Sequence, residues 1–128
     1  MSAGGPIGRP GGRGDLLRRA LGQVRFTDDL RLPRMLFAKL VRCPHPHARV
    51  VRVDESAALA TPGVLATLTG DELPERFGIL PWTPDERALA LGTARFVGDA
   101  VAAVAAVDER AAEQGASRVR VEYEPLPA

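Results

Sequence analysis

Apolar and polar positions change rhythm several times along this chain, and each rhythm predicts an element. Over Met35-Leu36-Phe37-Ala38-Lys39-Leu40-Val41-Arg42 the apolar run is broken only by Lys39 and Arg42, which predicts a buried strand. Cys43-Pro44-His45-Pro46-His47 must end it, because each proline lacks a backbone donor and restricts the residue before it. Arg49 to Val53 resumes as a second strand, and Asp54 is placed to cap a short helix over Glu55 to Ala60 that Pro62-Gly63 stops. Val64 to Thr69 has the β-branched character of a third strand, and Gly70 to Pro74 that of a turn. An irregular stretch follows to about Gly92. Ala94 to Val97 and Val101 to Val107 are predicted as a strand pair joined at Gly98-Asp99. Asp108 should cap a helix from Glu109 to about Ala116. Arg118 to Glu124 alternates strictly, which puts Val119, Val121 and Tyr123 on one face and the charges on the other.

Strands in pairs with two short crossover helices predict an α+β domain with a mixed sheet. Two similar strand-helix-strand units, Arg49 to Thr69 and Val101 to Glu124, are the nearest approach to an internal repeat. With 128 residues the chain fits one domain. Residues 1–20 are expected as a flexible arm, rich in glycine, proline and arginine over Met1 to Gly14, and residues 21–128 as the folded domain. Hydrophobic residues at 45% and charged residues at 26% suit a globular protein, which confines expected disorder to the termini.

Charge narrows the function classes. Seventeen basic residues against 16 acidic ones leave a net charge of +1, so no electrostatic footprint points to nucleic acid or an anionic membrane. The longest apolar run, Ala100 to Val107, is far too short to span a bilayer. Arg18-Arg19 lacks the apolar segment of a twin-arginine export signal, so a cytoplasmic location is expected. The one cysteine, Cys43, excludes an intrachain disulfide. Neither Arg13-Gly14-Asp15 nor the glycines around it make a motif, because no strand precedes them and no Gly-Lys-Ser/Thr follows.

Cys43, His45 and His47 are the only soft-ligand cluster, and alternate residues of an extended segment can converge. Zinc needs a fourth ligand or an open position, and a proline between each pair suits a rigid structural loop better. The acidic pairs Asp28-Asp29, Asp54-Glu55, Asp71-Glu72, Asp85-Glu86 and Asp108-Glu109 sit at segment boundaries, where capping and solvation explain them without acid–base chemistry. Ser2, Ser56, Ser117 and Cys43 have no identifiable base and orienting group to make a nucleophile. Phe26, Phe77, Trp82 and Phe96 are too scattered for a base-stacking platform. No catalytic, cofactor-binding or metal residue is assigned.

Several motifs in order nonetheless resemble one family. They are Ile7-Gly8-Arg9-Pro10 with Arg13 and Asp15; Gly22 with Arg25-Phe26-Thr27-Asp28-Asp29-Leu30; and Leu40 to Val50 around Cys43-Pro44-His45-Pro46-His47. Further along come Pro62-Gly63-Val64, Leu68 to Pro74, Arg95 to Val104 and Val121 to Pro127. Together they resemble the opening of the molybdenum-hydroxylase large subunit, the family of xanthine dehydrogenase, aldehyde oxidase, carbon monoxide dehydrogenase and 4-hydroxybenzoyl-CoA reductase. Gly78-Ile79-Leu80-Pro81 followed by Asp85-Glu86 is most similar to the last of these branches. Cys43 stands where the family usually has serine, Ala100 where proline is common, and Leu21 where threonine is frequent.

The resemblance implies an α/β hammerhead domain over residues 21–128. It also implies an oxidoreductase whose molybdopterin cytosine dinucleotide, 2Fe-2S clusters and FAD lie outside this chain. The expected partners are the molybdopterin-binding domains of the same enzyme and its iron-sulfur subunit. The chain itself is expected to be a scaffold, as a fragment or a split subunit, and not catalytic alone. The alternative is a free-standing protein-interaction domain. A scaffold should leave an apolar face bare, whereas a self-sufficient module should be closed and polar.

Overall fold

The computed structural model describes residues 14–78, 80 and 82–127. The Ile7 to Pro10 motif, most of the expected arm, and Ile79 and Pro81 lie outside the described residues. The chain divides between Pro33 and Arg34 into two compact units.

In the first unit, Leu16–Ala20 forms a short helix (α1) inside the segment expected as an arm. Its end is fixed by Gly22, whose φ of 66° admits the left-handed turn. Gln23 N then donates to Arg18 O and Gly22 N to Arg19 O, satisfying two carbonyls that the helix leaves over. Asp15 pairs with Arg19 one turn on at 2.6 Å, and the Arg19 guanidinium lies 5.7 Å from the centre of the Phe26 ring. Thr27–Asp29 makes a single 3-10 turn, closed where Phe26 N donates to Asp29 Oδ2.

The second unit contains β1 (Phe37–Arg42), β2 (Ala48–Asp54), α2 (Ser56–Leu59), β3 (Val64–Thr69), β4 (Thr93–Ala94), β5 (Ala100–Ala106), α3 (Glu109–Ala116) and β6 (Arg120–Pro125). The α+β class is as expected, with α2 and α3 as the two short crossover helices. The strands form two three-stranded sheets, ordered β1-β5-β3 and β4-β2-β6, and every described pairing between these strands is antiparallel. The two strand-helix-strand units account for this arrangement. The first leads from β2 through α2 into β3 of the other sheet, and the second leads from β5 through α3 back to β6. Each sheet therefore holds one strand of each unit.

The hairpin expected across Gly98-Asp99 does not form. Thr93 and Ala94 are used in pairing with β2, opposite Arg49 and Ala48. Gly98 N donates to Cys43 O and Asp99 O accepts from Cys43 N, so the turn's own backbone groups are taken by the end of β1. The capping at α2 also differs. Glu55, not Asp54, is the flanking residue, and Asp54 Oδ1 accepts from both Ser56 N and Ser56 Oγ one step earlier. Asp108 caps α3 as expected, its Oδ1 accepting from Ala111 N at 2.7 Å.

The interior is built from small residues. Ala48, Ala58, Ala94, Ala102, Ala106 and Ala112 are fully buried, and the largest wholly buried side chains are Val101, Val104 and Cys43. Alanine at these positions brings backbones close, most of all under α3. A Cβ added to Gly115 would lie 2.7 Å from a Val64 methyl and 2.9 Å from a Val104 methyl. Only glycine lets α3 settle to that depth on the sheet. No described helix is long and apolar enough to cross a membrane.

Candidate functional site

The soft-ligand cluster of the sequence forms a tie between segments. Cys43 is 1% exposed at the end of β1, in the cluster with Ala48, Ala90, Ala94 and Val101. Its Sγ accepts from His45 N at 3.4 Å and donates to His45 O at 3.6 Å, which closes the turn around Pro44. The His45 ring meets Tyr123 of β6 edge to face, with centroids 5.2 Å apart. His47 Nδ1 lies 2.6 Å from Pro127 O. Burial first, then the neighbouring Cys43 thiol and the Asp99 carboxylate, push the Tyr123 phenol up to about 12. Each of the three residues is thus engaged within the fold. Among the described residues, no group of three or more His, Cys, Asp or Glu side chains is arranged to hold a metal ion.

The acidic pairs are placed at turns and caps. Asp29, Asp54 and Asp108 accept backbone N–H groups at element starts. Glu72 Oε2 accepts from Thr69 N at 2.9 Å and closes the turn after β3. Glu109 pairs with Lys39 at 2.8 Å, joining α3 to β1 and raising the lysine's pKa. Ser56 is the partner of Asp54, whose carboxyl it holds below its ordinary range. Asp85 and Glu86 lie on the rim of a cavity of about 360 Å³, together with Arg76, Arg87, Arg95 and Asp99. There the Arg87 guanidinium donates to Pro74 O and that of Arg95 to Asp85 O. Three cations line it with three carboxylates, so their formal charges cancel.

An apolar face of the kind expected of a scaffold lies on the first sheet, where sequence reasoning had not placed it. The register aligns Leu40 with Ala103 and Leu68, and Ala38 with Ala105 and Ala66, giving two rows of three on one face. All six residues are apolar, and none is fully buried: Ala38, Leu40 and Ala66 are exposed, the other three half-buried. Leu36 extends the first column at 48% exposure, and Leu65, in a bulge of β3, is 57% exposed. The opposite face carries Phe37, Val64, Val104 and Ala106 and is covered by α3. An antiparallel sheet with one face toward water normally alternates apolar and polar. The uncovered face is apolar in both rows, while the covered one also carries Lys39 and Thr67 beside Val104; β1, expected as a buried strand, is covered on one side only. The unbroken apolar run Met35 to Ala38 was the available signal. Trp82, Phe96 and Val97 add exposed apolar surface in the loops, with Trp82 at 75%.

The family model described as "Aldehyde oxidase and xanthine dehydrogenase, a/b hammerhead domain" matches residues 21–127. The chain is 38% identical over 129 residues to the xanthine dehydrogenase molybdenum-binding subunit of Escherichia coli O157:H7, covering 90% of this chain and 17% of that protein. It is 38% identical to the carbon monoxide dehydrogenase large chain of Afipia carboxidovorans, over 87% of this chain and 14% of that one. The aldehyde oxidoreductase structure from Desulfovibrio gigas superposes with a TM-score of 0.82 at 27% identity, covering 91% of this chain and 14% of that chain.

Proposed function

The chain belongs to the aldehyde oxidase and xanthine dehydrogenase family through its a/b hammerhead domain, and from that premise we propose that it is a scaffolding part of a molybdenum-dependent oxidoreductase. It spans only 17% of the length of the Escherichia coli relative, so the redox chemistry belongs to the rest of such an enzyme. That remainder would carry the molybdopterin cytosine dinucleotide, 2Fe-2S clusters and FAD, with an iron-sulfur subunit as a further partner. The described residues do not fit a metal: Cys43, His45 and His47 are held by each other's backbone, by Tyr123 and by Pro127.

The observation that carries the reading is the pair of apolar rows on the β1-β5-β3 sheet. A stable domain gains by burying its leucines, at about 1.5–3 kcal/mol for each one fully covered. Here Leu36, Leu40 and Leu65 stand outside, while the core holds one leucine, Leu89, with Cys43 and otherwise alanine and valine. That inversion suits a piece whose remaining burial comes from a neighbouring domain. The test is to purify the tagged chain from cells that naturally make it and measure molybdenum in the eluate by mass spectrometry. Molybdenum in stoichiometric amount is the expected result. A monodisperse, metal-free monomer in every preparation would favour the free-standing interaction domain.

A further inference from the structure

We propose that the Cys43–His47 loop is a clasp on the last strand, and that His47 is the catch that sets the direction in which the polypeptide leaves β6. The ladder between β2 and β6 runs from Asp54 opposite Arg120 to Ala48 opposite Pro125. It goes one step further, where Leu126 N donates to His47 O at 2.9 Å. The next residue is Pro127, which has no N–H, so a backbone ladder has no donor left to offer there. At that point the bonding changes from main chain to side chain. His47 Nδ1 lies 2.6 Å from Pro127 O, and a carbonyl only accepts, so Nδ1 carries the proton and donates it. One residue thus holds the tail at two successive points, through its own carbonyl and its own ring.

The rest of the loop keeps the catch in place. The Cys43 thiol closes the turn onto His45, and the His45 ring rests against Tyr123 two residues before Pro125. Pro44 and Pro46 restrict the loop before it folds, which lowers the entropy lost in holding His47 at the tail. Without the catch, the Leu126 bond would be the last tie that this loop makes to the segment after β6. Nothing in this device involves molybdenum, so its failure would leave the proposed scaffolding role untouched.

The test uses the full chain. Nitrogen-15 NMR of the folded protein should find the neutral form of His47 as the Nδ1–H tautomer. In His47→Ala, exchange of the Leu126 amide with solvent should accelerate about 3- to 10-fold, the effect of losing one net hydrogen bond. The remaining β6 amides should keep their wild-type rates, and His47→Asn, with an N–H donor near the same place, should restore part of the protection. The Nε2–H tautomer in the wild-type protein would overturn the proposal whether or not the variants fold. So would an unchanged Leu126 rate in folded His47→Ala.

Discussion

The two faces of the β1-β5-β3 sheet share the same three strands and differ in almost everything else. Under α3, Phe37, Val64, Val104 and Ala106 pack so tightly that Gly115 has no room for a methyl group. On the other side, Leu40, Ala103, Leu68, Ala38, Ala105 and Ala66 are just as apolar, yet no fully buried residue is among them. Both faces are rich in apolar residues, the covered one even carrying Lys39 and Thr67 beside Val104, and the main difference is the cover. Composition alone cannot separate them. The covered face stabilises the domain itself, and the bare one is the face we propose for a partner.

The difference should be largest when matching residues are truncated. Val104→Ala removes a wholly buried side chain and leaves a cavity beneath α3, so it should cost about 2–3 kcal/mol in urea unfolding. Leu40→Ala, at 44% exposure on the opposite face, should cost less than about 1 kcal/mol despite deleting more carbon. Equal losses would erase the distinction between the faces. Gly115→Ala forces a methyl against Val64 and Val104, and its overpacking cost of about 1–3 kcal/mol outweighs the roughly 1 kcal/mol gained in helix propensity. The net outcome is a loss of up to about 2 kcal/mol, read as an earlier thermal midpoint. Asp108→Ala releases the Ala111 N–H at the start of the covering helix and should cost about 1 kcal/mol.

Tyr123 offers a check at the clasp. Its pKa is raised above the unfolded value of about 10, so the protonated phenol is favoured by folding. Folding stability from this group is therefore complete below about pH 10 and falls as pH rises from there toward about 12. Tyr123 is the only tyrosine, so absorbance at alkaline pH reports it alone. The folded chain should titrate well above the midpoint found in urea, and coincident midpoints would mean that the phenol is not buried beside Cys43.

Much of this was legible in the sequence because local chemistry decided it. Asp108 caps its helix wherever that helix packs, and the alternation of Val119, Val121 and Tyr123 fixes which side of β6 turns inward. The ordered motifs from Arg25 to Pro127 carried the family. Long-range competition hid the rest. Gly98-Asp99 has the composition of a hairpin turn, but Cys43, more than fifty residues earlier, takes its backbone groups. Asp54 and Glu55 could each have flanked α2, and the hydroxyl of Ser56 drew Asp54 one step back. The bare face was hidden for another reason. An apolar run predicts burial, and it does not say whether the cover comes from the same chain.

The most direct test compares molybdenum recovery with the wild-type chain and with the double variant Leu40→Glu, Ala66→Glu, both residues exposed on the bare face. The variant should fold with near wild-type stability, because surface changes away from the core usually shift stability by less than about 0.5 kcal/mol. If the face is where the rest of the enzyme docks, co-purified molybdenum should fall at least about tenfold, since burying an unpaired carboxylate opposes docking strongly. Undiminished molybdenum with the folded double variant would contradict the account, and the docking surface would then have to be sought elsewhere on the domain.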